Sequence, residues 1–184
     1  LELGLLAEQL DPALAGRVAH TVDLVDTGMQ SIRRVTEQLR PALLDDLGLV
    51  PALRSLAEAF TARTGIPAAI EAPLDVPPLR ERAELALFRA MQEALANVAR
   101  HAAATRVSVR IANGAGRLSL EVSDDGRGLP PGFDLARAER EGHLGLAGMR
   151  ERVTALGGTL EIAAPPAGGL NVRLTLPVDA ADTA

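Results

Sequence analysis

The sequence predicts an α+β fold, a two-layer sandwich with helices on one face of a mixed sheet, preceded by a helical dimerisation segment. Strand and helix patterns are mixed without the regular βαβ alternation of a doubly wound sheet. Two strands of alternating polarity, residues 105–111 and 117–123, are joined by a glycine-containing hairpin at Asn113–Gly116. Near the start of the chain, apolar residues recur at alternating steps of four and three, which is typical of a helical bundle.

The helical segment comes first. A break at Asp11-Pro12 separates the end of one helix from a longer one. The apolar seam of that longer helix consists of Val18, Val22, Val25, Met29, Ile32 and Leu39. Two helices bury little surface, so we expect a homodimer that forms a four-helix bundle. A compact connector at Leu43–Leu49 places the boundary between two domains, residues 1–45 and 46–184.

The second domain alternates helices and strands irregularly. Residues 124–145 are rich in glycine, proline and charge, and we interpret them as a mobile loop that acts as a lid. Around this loop and the hairpin, the pattern predicts helices over 50–65, 79–103 and 146–156, and strands over 68–72, 159–163 and 170–176.

Composition excludes several classes of function. The net charge of −5 comes from interspersed charges, so no basic field favours nucleic acid. There is no cysteine, which excludes disulfides and thiolate sites. All 19 basic residues are arginine, which excludes a P-loop lysine. No apolar run approaches the roughly 20 residues that cross a bilayer, so we expect no membrane contact by this segment and a cytoplasmic location. The start at Leu1, without a methionine, suggests a piece of a longer parent, which is either free or membrane-anchored.

The helix over 79–103 carries the first candidate site. Its apolar stripe consists of Leu85, Phe88, Met91, Leu95, Val98 and Ala102. On the opposite face Glu93, Asn97 and His101 are spaced at i, i+4 and i+8. They offer a hard oxygen ligand for Mg²⁺, a base or water-orienting group, and a donor toward phosphate. The same pattern also occurs on an ordinary solvated helix face.

Two glycine-containing motifs follow. Asp124 begins an Asp-x-Gly-x-Gly turn with Gly126 and Gly128 at the end of a strand, where its carboxylate could accept a hydrogen bond from the exocyclic amine of adenine. The segment Gly142–Met149 precedes a helix whose free N–H groups could face phosphates. Each motif has a plain structural alternative, a simple turn in one case and the end of a loop in the other.

The order and spacing of the three motifs resemble the N, G1 and G2 boxes of the gyrase, histidine kinase and MutL ATPase superfamily. Residues 92–102 are similar to the N box of sensor histidine kinases, and 148–153 are similar to the helix after their G2 box. The connector over 39–49 resembles that of the subgroup whose partners are helix-turn-helix response regulators. The resemblance covers nearly the whole chain.

This resemblance implies a two-component sensor histidine kinase that binds ATP and Mg²⁺, transfers the γ-phosphoryl group to a histidine, and passes it to a response regulator receiver domain. It implies that Asn97 ligates Mg²⁺ and that Glu93, the catalytic candidate, orients the metal's water shell. The other implied ATP-binding residues are Arg100 and His101 near phosphate, and Asp124 at the adenine amine with Gly126 and Gly128 beside the base. Gly142, Gly145 and Gly148 are implied to hinge and end the lid, and His143 and Leu146 are further implied ATP-binding residues.

The sequence departs from the family pattern in two places. Gly168-Gly169-Leu170 stands where the family commonly has a Gly-Thr pair, so a hydroxyl that supports the adenine-binding Asp is absent. No phosphoacceptor histidine followed by an acidic residue is found, because His20 is followed by Thr21. We therefore expect the acceptor upstream of Leu1, and we expect this segment to bind ATP without phosphorylating itself.

Two alternatives stay open. A serine kinase of the anti-sigma type shares the ATP-binding fold, although the long helical seam argues against it. A degenerate sensor module would dimerise and bind a partner without using nucleotide, and the missing Thr keeps that interpretation open.

Overall fold

The computed structural model describes residues 42–129, 144–165 and 168–178. The predicted helices before Pro41, His20, Gly142 and His143 lie outside the described residues. The described elements are α1 (Ala42–Leu47), α2 (Leu49–Thr64), β1 (Ala68–Glu71), α3 (Glu81–Asn97) with a π-helical turn (Val98–Ala102), β2 (Val107–Gly114), β3 (Arg117–Asp124), α4 (Leu144–Ala155), β4 (Thr159–Ala163) and β5 (Asn171–Pro177).

The strands form one mixed sheet in the order β1-β2-β3-β5-β4. β1 pairs with β2 in parallel, and the other three pairs are antiparallel. Along a strand, residues that face the core alternate with residues that face outward. In β2, for example, Val107, Val109 and Ile111 are buried and the residues between them are exposed. This arrangement confirms the predicted α+β sandwich.

Among the described residues, one apolar core lies between the sheet and the helices. Its largest fully buried side chains come from α1, α2, α3, α4 and the three central strands. They are Leu44, Leu53, Phe60, Leu87, Met91, Leu95, Val109, Leu118, Leu120, Met149, Leu174 and Leu176. Burying a side chain of this size stabilises the fold by roughly 1.5–3 kcal/mol, so the core is the main reason that the helices stay on one face of the sheet.

The outward face of the sheet carries a row of alternating charges. Backbone register places Glu71, Arg110, Glu121, Arg173 and Glu161 opposite one another on the five strands. Arg173 Nε donates to Glu121 Oε2 at 2.9 Å, and Arg110 Nη2 donates to Glu71 Oε2 at 3.0 Å. Opposite charges directly across a sheet support pairing, and their exposure keeps this face in water.

The hairpin differs from the prediction in its boundaries. β2 runs on to Gly114, so the turn has only two residues, Ala115 and Gly116, with φ of 50° and 69°. Positive φ at both positions suits the right-handed twist of the two strands. β2 also begins later than predicted, at Val107, because the backbone N–H groups of Thr105 and Arg106 bond to the side chain of Asp125 and not to a strand.

The predicted connector forms helices. α1 and α2 are separated by Gly48, which has φ of 79°. Leu44 and Leu49, on either side of this glycine, are 2% and 6% exposed and belong to the core. The predicted division at residues 45 and 46 falls within α1, and that division stays a prediction.

Candidate functional site

Helix α3 places the first two candidate residues. Phe88, Met91, Leu95 and Val98 from the predicted stripe are all less than 10% exposed. The buried face is wider than predicted and includes Ala83, Ala86, Leu87, Ala90 and Ala94. Glu93 and Asn97 lie one helical turn apart and are half-buried at the edge of this face.

The end of α3 departs from regular helical geometry. α-Helix ends at Asn97, and residues Val98–Ala102 form a π-helical turn that closes at Ala103, with φ of 51°. Because a π turn is wider than an α turn, His101 does not continue the regular i, i+4, i+8 stack that the sequence predicted. Arg100 and His101 are exposed. Of the three predicted residues, therefore, only Glu93 and Asn97 keep the regular α-helical spacing.

The Asp-x-Gly-x-Gly motif follows β3 and packs on the end of this π turn. Asp124, the last residue of β3, is half-buried, and its Oδ1 accepts the N–H of Gly126 at 2.8 Å. The N–H of Arg127 donates to the carbonyl of Ala102 at 2.8 Å. A Cβ atom at Gly126 would lie 2.2 Å from that same carbonyl oxygen. Only glycine permits this approach, which joins the ends of α3 and β3.

The turn at Gly168–Leu170 closes the other side of the motif. The N–H of Asp124 donates to the carbonyl of Leu170 at 3.0 Å. Gly169 has φ of 83°, and a Cβ atom there would lie 1.9 Å from the Asp124 carbonyl oxygen. Gly128, with φ of 68°, lies equally close to Gly169, because a Cβ atom on Gly128 would lie 2.7 Å from the Gly169 carbonyl oxygen. Leu170 therefore supports Asp124 through its backbone, at the place where the family commonly has a threonine hydroxyl.

Helix α4 brings the third motif onto α3. Met149 and Val153 are each 1% exposed and anchor the helix in the core. At its N-terminal end, Gly145 faces Glu93: a Cβ atom at Gly145 would lie 2.3 Å from Glu93 Oε1. Leu146 is partly buried against the core.

Farther along α4, Gly148 lies under the guanidinium group of Arg152, whose Nη1 would be 3.2 Å from a Cβ atom at Gly148. Most of the predicted lid, residues 130–143 with Gly142 and His143, lies outside the described residues.

Sequence reasoning missed Asp125. Its Oδ1 accepts the N–H groups of Thr105 and Arg106 at 2.8 and 3.0 Å, and its Oδ2 accepts the Thr105 hydroxyl at 2.7 Å. These bonds, those from Thr105 first, together with the Arg106 charge, lower the pKa of Asp125 to about 2. The available signal was the second acid in Asp124-Asp125, which the turn motif does not require.

The donor set also bears on a metal. In the described parts of the chain, no three His, Cys, Asp or Glu residues form a metal-binding group. Mg²⁺ usually takes one or two protein oxygens, several waters and substrate phosphates, and the Asn97 amide and the Glu93 carboxylate fit that requirement.

Within the same described residues, no helix is both long and apolar enough to span a membrane.

Comparisons with known proteins agree with this geometry. Residues 82–180 match the family described as histidine kinase-, DNA gyrase B-, and HSP90-like ATPase. The chain is 36% identical over 155 residues to the signal transduction histidine-protein kinase/phosphatase DegS of Brevibacillus brevis. This alignment covers 84% of this chain and 39% of DegS. It is 37% identical over 172 residues to the sensor histidine kinase NarS of Mycobacterium tuberculosis, and this alignment covers 92% of this chain and 39% of NarS.

A solved structure with the same fold is the ATP binding domain of PrrB from Mycobacterium tuberculosis. It has a TM-score of 0.56 at 26% identity, over 70% of this chain and 93% of that one. The chain spans 39% of the length of each of the two curated relatives above. The chain therefore belongs to the histidine kinase-, DNA gyrase B-, and HSP90-like ATPase family, and its residues 82–180 form an ATPase domain of the sensor histidine kinase type.

Proposed function

We propose that this chain binds ATP with Mg²⁺ and is the catalytic, ATP-binding portion of a sensor histidine kinase. The observation that carries the proposal is the packing of both glycine motifs on the motif of α3 and its π turn: Gly126 on the carbonyl of Ala102, and Gly145 on the carboxylate of Glu93. Motifs of this kind are individually weak, but their joint placement at the ends of α3, β3 and α4 is what a nucleotide site requires.

The roles of the residues follow from their chemistry. Asp124, with Oδ1 held by the Gly126 N–H, has further acceptor capacity for the amine of adenine. The N-terminal end of α4 favours negative charge and suits phosphate. Asn97 would ligate Mg²⁺, and Glu93 would accept hydrogen bonds from the metal's waters. When bound, the metal supplies neutralisation of phosphate charge, and these side chains supply positioning.

The activity of the whole kinase is part of the same proposal. DegS is named a histidine-protein kinase/phosphatase and NarS a sensor histidine kinase. We propose transfer of the γ-phosphoryl group to a histidine, with a response regulator as the next acceptor. His20, followed by Thr21, lacks the acidic neighbour expected of an acceptor. The chain should therefore bind ATP without labelling itself, and incorporation of phosphate from labelled ATP into this chain would contradict that statement.

Nucleotide binding is tested by titrating a fluorescent ATP analogue with and without Mg²⁺. Asn97→Ala should weaken binding only when Mg²⁺ is present, whereas Asp124→Asn should weaken it in both conditions. Matched controls are Asn113→Ala and Asp75→Asn on the exposed surface, which should leave affinity unchanged. If neither site substitution weakened binding, Asn97 and Asp124 would not be the nucleotide-binding residues, and if the wild-type chain did not bind the analogue at all, the module that uses no nucleotide would replace this proposal.

We also propose a homodimer formed through residues 1–45 and a cytoplasmic setting, where ATP and a response regulator are both present. The four-and-three spacing of the seam from Val18 to Leu39 supports the dimer. Sedimentation at several protein concentrations should give a dimer, and a monomer at all of them would contradict the proposal.

A further inference from the structure

Asp125 makes an unusual set of contacts for the middle residue of a glycine turn. Its carboxylate holds two successive backbone N–H groups, those of Thr105 and Arg106, together with the Thr105 hydroxyl, all within 3.0 Å. The Arg106 guanidinium adds an ion pair at 3.5 Å. The partners lie 19 and 20 residues away in sequence, so the side chain fastens two distant parts of the fold together.

These contacts immobilise one side of the loop that presents Asp124. Arg127, two residues after Asp125, donates to the carbonyl of Ala102, so the loop is attached twice to the segment between α3 and β2. The opposite side is held by the Leu170 carbonyl, which accepts the Asp124 N–H. Asp124 is thus fixed between two supports, and Asp125 supplies most of the hydrogen bonds on one of them.

We propose that Asp125 is a positioning residue for base recognition, which holds Asp124 where its carboxylate meets the exocyclic amine of a 6-aminopurine nucleotide and so sets the preference for adenine. This inference rests on the proposed ATP-binding function and assigns a role to a side chain that does not touch the nucleotide. A hydrogen bond to a charged group is strongly distance-dependent and directional. A small displacement of Asp124 therefore lowers the selectivity for adenine before it lowers the stability of the fold.

The role is geometric. Asn at position 125 would place an Oδ1 where the two N–H groups of Thr105 and Arg106 need it, and its Nδ2 could donate to the Thr105 hydroxyl, which also accepts. Ala at this position leaves both N–H groups without that partner. Since the pKa of Asp125 is lowered to about 2, its ionisation state is constant near neutral pH and does not modulate binding there.

The test compares affinities of the chain for ATP and for inosine triphosphate, which has a carbonyl in place of the amine. The wild-type protein should prefer ATP by about tenfold or more, the value of one hydrogen bond to a carboxylate. Asp125→Ala should reduce this ratio to about threefold or less, and Asp125→Asn should restore it. A loss of folded protein lowers both apparent affinities equally, so the ratio separates positioning from general destabilisation.

A milder variant keeps the test decisive if Asp125→Ala does not fold. Thr105→Val removes the hydroxyl bond and leaves both backbone bonds, so the ratio should fall partway, whereas Thr159→Val on the exposed edge of β4 should not change it. An unchanged ratio in the foldable Asp125 and Thr105 variants, with the ratio lost in Asp124→Asn, would overturn the positioning role alone. A wild-type protein that fails to bind ATP would instead overturn the proposed function.

Discussion

The backbone of Gly145 lies directly against the carboxylate of Glu93, so that a methyl group on Gly145 would come within 2.3 Å of Glu93 Oε1. The obstructing atom is the end of a flexible side chain, which can move at little cost to the fold. Gly145→Ala should therefore displace the carboxylate and leave the free energy of unfolding within about 1 kcal/mol of wild type, since alanine also favours the helix.

The functional consequence of that substitution is measurable by nucleotide titration. Gly145→Ala should weaken binding of an ATP analogue in the presence of Mg²⁺ by up to about tenfold, the value of one displaced hydrogen bond. Gly114→Ala is the control, because nothing lies within 4 Å of a Cβ atom there. Equal affinities for the two variants would show that the Glu93 position does not matter for binding.

Gly169 should be much less tolerant of substitution than a glycine with similar φ. Gly116 and Gly169 have φ of 69° and 83°, but only Gly169 has backbone atoms in the way, with the Asp124 carbonyl oxygen 1.9 Å from a Cβ position. Gly116→Ala should cost about 1–2 kcal/mol for the left-handed conformation alone. Gly169→Ala should cost at least about 2 kcal/mol more, since backbone has to shift. Chemical denaturation of both variants measures the difference, and equal losses would contradict the packing of this turn on Asp124.

The sequence predicts much of this fold because its strongest patterns are local. Alternation in β2 and β3 and the apolar face of α3 depend on neighbouring residues, and the structure keeps all of them. The late start of β2 depends on Asp125, 19 and 20 residues beyond the N–H groups that it binds. A contact of that separation leaves no periodic pattern in the sequence, so periodicity predicts neither the start of β2 nor the hydrogen-bond partners of Asp125.

The candidate site was predictable to a similar extent. The i, i+4 spacing of Glu93 and Asn97 is kept because α-helical geometry applies up to Asn97, but both residues are half-buried at the edge of the buried face and not on the face opposite it. His101 was misplaced in the regular stack because the π turn is fixed by packing, with Gly126 and Arg127 seated on the Ala102 carbonyl. Glycine identity predicted turns, but the close approaches of Gly126 and Gly169 depend on which distant backbone lies opposite.

Acid should remove part of the stability that Asp125 provides. Its pKa is lowered in the folded state from 3.8 to about 2, chiefly by hydrogen bonds from Thr105. A depressed folded-state pKa gives stability that is present above the unfolded-state value and is lost as pH falls through the folded-state value. The difference in unfolding free energy between wild type and Asp125→Asn should therefore be constant from pH 7 to about 5 and change, in the direction of lower wild-type stability, between about pH 4 and 2. Urea titrations of both proteins across this range measure the difference in unfolding free energy. A difference independent of pH would contradict the lowered pKa of Asp125.

Helix α2 should be an integral part of the ATPase domain although the family match begins only at residue 82. Leu53 of α2 is 0% exposed and belongs to the same core as α3 and the sheet, whereas Leu74 is fully exposed. Leu53→Ala should lower the free energy of unfolding by about 2–5 kcal/mol, because it removes buried methyl groups and leaves a cavity. Leu74→Ala removes the same atoms from water and should change stability by less than about 0.5 kcal/mol. Thermal and chemical unfolding of the pair decide the matter: if Leu53→Ala were as stable as Leu74→Ala, α2 would be an appendage and the domain would begin after it.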